Sequence, residues 1–75
     1  MQAMRLHVDQ EADALYLRLD ESKIVASEEV SPGIVLDFNA ENQVMGVEIL
    51  HLSRRTPSVE TGKLVFETVP GVATR

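Results

Sequence analysis

The chain has no cysteine among its 75 residues. No disulfide and no thiolate zinc site can brace it. Basic residues are also scarce: seven against twelve acidic ones, a formal net charge of -5. Binding nucleic acid by neutralising phosphates needs a basic face, so that class is excluded. Only Arg54 and Arg55 adjoin, and the same shortage disfavours an anionic membrane surface. No segment approaches the ~20 consecutive apolar residues that span a bilayer. The start, Met1 to Val8, has no apolar run of secretory-signal length, because Arg5 and Asp9 interrupt it. A cytoplasmic protein is the expectation. The four glycines stand too far apart for a dinucleotide fingerprint or a phosphate loop. No serine lies in a G-x-S-x-G context. No catalytic residue is assigned, no cofactor is expected, and the balance leans away from an enzyme.

What is present suits one small domain covering residues 1–75. Apolar residues make up 44% of the chain. A chain of this size buries roughly 60% of the surface its unfolded form exposes, so its core is thin. Self-association, a partner or a metal remain as supports. Ten valines and three isoleucines favour strands over helices.

The local patterns agree. Residues 4–8 alternate, with Met4, Leu6 and Val8 on one face and Arg5 and His7 on the other. After the polar stretch 9–13, residues 14–19 alternate again, with Leu15, Leu17 and Leu19 together and Ala14, Tyr16 and Arg18 opposite. These two segments read as a hairpin. Residues 24–30 form a weaker strand. Ser31-Pro32-Gly33 is a turn, because proline pre-sets φ and glycine accepts a positive φ. Residues 34–39 carry Ile34, Leu36 and Phe38 on one face, and residues 43–50 carry Met45, Val47 and Ile49. A turn centred on Glu41 and Asn42 pairs Ile34 with Ile49, Leu36 with Val47, and Phe38 with Met45. Asn42 is the residue suited to a left-handed conformation there.

Residues 63–69 have strand propensity, with Leu64 and Phe66 on one face, and a short helical turn is expected near 57–61. The expected fold is mainly β, at most a β-rich α+β arrangement. It is a single antiparallel meander sheet of about five strands, with a C-terminal segment, strand or short helix, covering its apolar face. A lone sheet otherwise leaves that face without a second layer, which argues for a second copy or a protein partner.

The strands carry a recognisable series. Asp9-x-Glu11-Ala12-Asp13-Ala14-Leu15-Tyr16-Leu17 is followed by Pro32-Gly33-Ile34-Val35-Leu36-Asp37, then Val44-x-Gly46-Val47-Glu48-Ile49-Leu50 and Ser53-Arg54. The chain resembles the Domain of Unknown Function 2283 family of small bacterial and archaeal proteins. The resemblance covers about residues 5–55 and leaves 56–75 as an extension. It implies a compact β-rich domain without a settled activity. Some members resemble antitoxin-like partners encoded beside small toxin-like proteins.

Two acidic groups invite chemistry. Asp9, Glu11, Asp13 and Asp20 fall at offsets 1, 3, 5 and 12 of a calcium loop. The sixth position, which needs glycine, is Ala14, and the flanks alternate as strands rather than helices. A turn whose aspartates accept hydrogen bonds from nearby backbone N–H groups is the favoured reading; a metal at Asp9, Glu11 and Asp13 is the lesser one. In the second hairpin Asp37 faces Gly46 and Glu48 faces Val35, so both carboxylates share the polar side. They can share a proton or hold a cation. They can also pair with Arg18 or Arg5, which is favoured on an exposed sheet face. Tyr16, on that side, reads as packing. His7 and His51 lie apart in the pattern and suit ordinary surface positions. An open sheet of this size offers little room for a pocket of ~300 Å³.

The functional expectation is a protein-interaction module. It acts as a homodimer or as an antitoxin-like partner of another small protein, a basic one given the acidic surface. The alternative is a small metal- or ligand-binding protein or enzyme, with an acidic site at Asp37 and Glu48 formed at a dimer interface.

Overall fold

A computed structural model describes residues 3–71. Residues 72–75 of the expected extension lie outside the described residues. Five strands form: β1 (Arg5–Asp9), β2 (Ala14–Arg18), β3 (Ala26–Ser31), β4 (Ile34–Phe38) and β5 (Val44–Ile49), followed by one helical turn, α1 (Leu52–Arg55). All pairings are antiparallel within one sheet.

The strand order is β1-β2-β5-β4-β3, which corrects the expected meander. β1–β2 is one hairpin and β3–β4–β5 is a small meander, and β5 joins them by pairing with β2. Strands β2 to β5 thus have the order of a Greek key. The seven-residue break 19–25 is too long for a tight hairpin turn. It carries the chain across one end of the sheet to the far edge. The order places the strands richest in large apolar residues, β2, β5 and β4, in the interior. The glutamates Glu28 and Glu29 fall on edge strand β3, where charge discourages unwanted strand addition.

Turn chemistry sets the register. Ser31 pairs with Ile34 across Pro32-Gly33, and Gly33 has φ 78, which fits the third position of a type II turn. That turn matches strand twist poorly, and the ladder absorbs the mismatch with a bulge at Val30, between the Glu29–Val35 and Ser31–Ile34 pairs. Asn42 takes φ 62, as expected. The anchor of that turn is Asn39. It is buried, its side-chain oxygen accepts the N–H groups of Glu41 and Gln43 at 3.0 Å each, and its amide donates to Gln43 Oε1 at 3.0 Å. Ile34–Ile49 and Leu36–Val47 pair as expected, but Phe38 pairs with Val44, not Met45. The reason is a second bulge between Asp37 and Phe38, which leaves Met45 as the extra residue.

The first turn ends in Asp13 at φ 57. The Asp13 carbonyl accepts Leu52 N–H at 2.9 Å. The helical turn therefore forms at 52–55, where Asp13 can meet its free N–H groups, and not near 57–61.

The sheet's two faces differ. Leu15, Leu17, Ile34, Leu36, Phe38, Met45, Val47 and Ile49 line the apolar face, and each is only half-buried, although β2, β5 and β4 are interior strands. Ala14, on the other face, is the one buried hydrophobic side chain among the described residues, and it keeps 7% of its surface exposed. Residues 52–64 cover just one corner. Leu52, Thr56, Val59, Thr61 and Leu64 enclose a cleft of about 180 Å³ with Val8 and Leu15. The expected cover by residues 63–69 does not form. Residues 63–71 have no regular structure, and Val65, Phe66 and Val69 are 81%, 72% and 86% exposed. This segment is accordingly not a sheet edge; the two edges are β1 and β3.

Candidate functional site

The polar face is ordered in two rows across the strands. One runs His7, Tyr16, Glu48, Val35, Glu29. The other runs Arg5, Arg18, Gly46, Asp37, Ser27. Asp37 faces Gly46 and Glu48 faces Val35, as the sequence indicates.

Gly46 decides the local packing. With no Cβ on β5, the Tyr16 ring lies over its backbone; a Cβ there would stand 2.9 Å from Tyr16 Cζ and closer still to the hydroxyl. Leaning across Gly46, the Tyr16 hydroxyl donates to Asp37 Oδ2 at 2.6 Å. Ser27 Oγ donates to Asp37 Oδ1, also at 2.6 Å. Both oxygens of Asp37 are thus held by hydroxyls from flanking strands. Burial raises the Tyr16 pKa above its ordinary 10.0, and the hydrogen bond to Asp37 adds to the rise, against a smaller opposing effect of Arg18.

The arginines take other partners than the carboxylates proposed for them. Arg18 donates from Nε to the Asp20 carbonyl at 2.6 Å and from its other arm to the Ser22 carbonyl. It thereby ties down the connection leaving β2. Arg5 approaches Glu21 at 3.5 Å, an exposed pair of small energetic weight. The group of Asp37, Tyr16 and Arg18 is brought together, but through hydroxyl–carboxylate and guanidinium–carbonyl bonds rather than the expected ion pairs.

Arg5, His7, Asp9, Tyr16, Arg18 and Glu48 line a shallow, open depression of about 730 Å³. It is larger than an open sheet led us to expect, because edge strand β1 and Glu21 wall it on one side. His51 does not line it. His51 precedes α1 in the left-handed region, with φ 54.

The acidic turn divides. Asp9 Oδ1 accepts Ala12 N–H at 3.0 Å, the local turn bond expected of it. Asp13 instead reaches 40 residues along the chain. It accepts the Ser53 N–H at 2.9 Å and the Ser53 hydroxyl at 2.8 Å. It caps α1 from another element, and these two bonds, the hydroxyl first, lower its pKa. Asp20 is lowered in the same way by the Ser22 hydroxyl and N–H. Among the described residues no group of three His, Asp or Glu side chains is placed to hold a metal ion. Asp9, Glu11 and Asp13 are therefore neighbours in sequence without converging.

Sequence reasoning missed Ser27, Asn39 and Arg55. Arg55 donates to the Leu50 and Pro32 carbonyls and so fastens the end of α1 to the β3–β4 turn. The one signal available for it was its place beside Arg54. No described helix is long and apolar enough to cross a membrane.

A family model described as "Protein of unknown function (DUF2283)" matches residues 5–53. That span holds all five strands and the start of α1. No curated protein and no solved structure matches the chain.

Proposed function

The chain belongs to the DUF2283 family of proteins of unknown function, and from that premise we propose that it is a protein-interaction module whose apolar sheet face is covered by a second copy of the chain. The observation that supports this is the excess of exposed surface. A compact monomer of 8.3 kDa exposes about 4,600 Å², whereas this chain exposes 6218 Å². The excess, about 1,600 Å² on that scaling, is twice the ~800 Å² per partner that a stable interface buries. The radius of gyration, 14.3 Å, likewise exceeds the ~11 Å of a compact 75-residue domain.

Part of that surface belongs to the irregular segment 64–69, and part to the apolar face of the sheet. Three interior strands present half-buried Leu, Ile, Val and Phe side chains to solvent on one face, and a contiguous apolar patch of that kind marks an interaction surface. A second copy supplies an equal face, and closed two-fold pairing is the commonest way for a small soluble chain to bury one.

Sedimentation equilibrium over a range of concentrations tests the reading. The expected mass is twice 8.3 kDa, and Val47→Asp, at the centre of the face, returns it to the monomer. A wild-type chain that stays monomeric at all concentrations would overturn the reading. Recovery of a one-to-one complex with a different, basic small protein in place of the dimer would replace it with the antitoxin-like role.

A second reading rests on the depression over Tyr16, Arg18, His7 and Glu48: a small ligand or cation bound on the polar face. Titration with divalent metals and small carboxylic acids tests it, and heat that persists in Asp37→Asn and Glu48→Gln would remove those residues from it.

A further inference from the structure

The sheet has two open edges, β1 and β3, and they differ in what they can meet. Among the described residues the backbone of β1 is bonded to no backbone but that of β2. Its outward N–H and C=O groups can therefore pair with an added strand. Every residue of β1 except half-buried Val8 is exposed. We propose that β1 is an interaction surface in its own right, separate from the apolar face, and that its occupant is β1 of another copy, paired antiparallel about His7.

The residue order of β1 is self-complementary. A two-fold axis normal to the sheet joins two edges antiparallel and keeps each residue on its own face. Centred on His7, it sets Arg5 opposite Asp9 twice, on the polar face, and Leu6 opposite Val8 twice, on the apolar face. Opposite charges and apolar pairs set directly across from each other both stabilise a ladder. The row Leu36, Val47, Leu17, Leu6 then continues across the seam into Val8 and Leu15 of the second copy. The charged ends are available for this. The Arg5 contact with Glu21, 3.5 Å long, is exposed and of small weight. Asp9 uses Oδ1 for the Ala12 N–H, and its Oδ2 has no partner among the described residues.

The other edge lacks this property. Self-pairing of β3 about either of its two central residues sets Glu28 against Glu28 or Glu29 against Glu29, and like charges directly opposite destabilise a pair. The bulge at Val30 interrupts its ladder besides. Pairing at β1 uses the rim of the sheet, so it leaves the apolar face free for its own cover. It is also the weaker contact. A stable interface takes ~20–30 residues a side, and β1 supplies five. Copies joined by their faces therefore associate further, edge to edge, only at higher concentration.

The chain has no cysteine, so a single introduced thiol tests the register. In His7→Cys the two thiols sit at the axis, with Cα atoms ~5 Å apart, inside the ~7 Å limit for a disulfide. In Arg5→Cys they stand ~13 Å apart along the strands. Position 7 lies on the polar side of the sheet, so a dimer held by the apolar face does not bring these thiols together. His7→Cys is expected to oxidise to a covalent pair at least ~10-fold faster than Arg5→Cys. Arg5→Cys mixed with Asp9→Cys should link across the two types as fast as His7→Cys does. Equal rates for His7→Cys and Arg5→Cys would overturn the pairing. Sedimentation is the second arm. The wild type should exceed the dimer mass at the highest concentrations, and Arg5→Asp, which sets like charges opposite each other, should weaken that step at least ~10-fold while keeping the dimer. An unchanged step would contradict the proposal. Fast linkage of His7→Cys in a chain that is otherwise monomeric would uphold the edge and overturn the dimer reading. A dimer whose His7→Cys links no faster than Arg5→Cys would do the reverse.

Discussion

The two faces of this sheet are built from alternate residues of the same strands, yet they reach different degrees of completion. On the polar face, Tyr16 lies over Gly46, Asp37 has both oxygens occupied by hydroxyls, and Arg18 closes on two carbonyls. Tyr16, Asp37 and Arg18 thus find their partners within the chain. On the apolar face, Leu17, Val47 and Leu36 meet in register, but no described segment is laid over them, and burial stops halfway. Hydrogen bonds are short-ranged and are satisfied by neighbours in the sheet. Hydrophobic burial needs a second layer, and among the described residues those outside the strands supply one only at the corner held by residues 52–64. The difference is what the proposed reading rests on: the polar face is completed within the chain, and the apolar face is proposed to be half of an interface.

Substituting neighbours that point to opposite faces tests the contrast most strongly. Leu17→Glu places an unpaired charge at the centre of the apolar face. It is expected to weaken self-association at least ~100-fold, on the scale of an interface hot spot. Tyr16→Phe, one residue away, should leave association unchanged. Sedimentation of the two variants side by side decides it, and equal losses would erase the distinction between the faces.

Within the polar face the largest effect is expected from Gly46→Ala. The new Cβ meets the Tyr16 ring, and overpacking of this kind costs about 1–3 kcal/mol. In a Tyr16→Ala background the same change should cost far less, since the obstructing ring is gone. A double-mutant cycle by urea denaturation measures the difference. Additive costs would place the strain elsewhere.

Tyr16→Phe itself should lower stability by ~1 kcal/mol, the net worth of one hydrogen bond. It also alters the alkaline limb. The folded Tyr16 pKa is raised above 10.0 by burial and by Asp37. Its contribution is complete below pH 10 and is lost as the pH rises through the folded value. Stability of the wild type should therefore fall above pH 10 more steeply than that of Tyr16→Phe. Parallel curves would mean that the ring is not held against Asp37.

The smallest effect is expected at Asp13. Its pKa is lowered from 3.8 by Ser53, so its contribution is present above the unfolded value and is lost as the pH falls through the lowered one. Asp13→Asn keeps an acceptor for the Ser53 N–H and tolerates the left-handed backbone. It should flatten the acid limb below pH 4 while changing neutral stability little. Thermal melts from pH 2 to pH 7 would show it.

Much of this was legible in the sequence, for a physical reason. Period-two alternation reports faces directly, so Leu15 with Leu17, Ile34 with Leu36, and Asp37 opposite Gly46 could be read from the chain. Turn chemistry located Gly33 and Asn42. What escaped were contacts between segments far apart in sequence. Nothing near Leu19–Val25 states that β5, not β3, lies beside β2. Nothing near Asp13 announces Ser53. Both bulges escaped as well, because an alternating pattern shows which face a residue takes but not where a ladder inserts an extra one. Of the polar-face residues Asp37, Glu48, Tyr16 and Arg18, Asp37 and Tyr16 are bonded to each other, and that bonding was not legible, because charge suggested ion pairs while Gly46 and the reach of Tyr16 favoured a hydroxyl. The segment 63–69 has the composition of a strand but no edge of its own sheet to join.

The most direct test of the central claim is methyl NMR with a soluble paramagnetic relaxation agent. Leu17, Leu36 and Val47 methyls on the apolar face are compared with those of Val35 on the polar face. Under dimerising conditions the first three should be shielded and Val35 accessible, and dilution below the dissociation constant should expose all four. Leu17, Leu36 and Val47 relaxing as strongly as Val35 at every concentration would contradict the claim that this face is half of an interface.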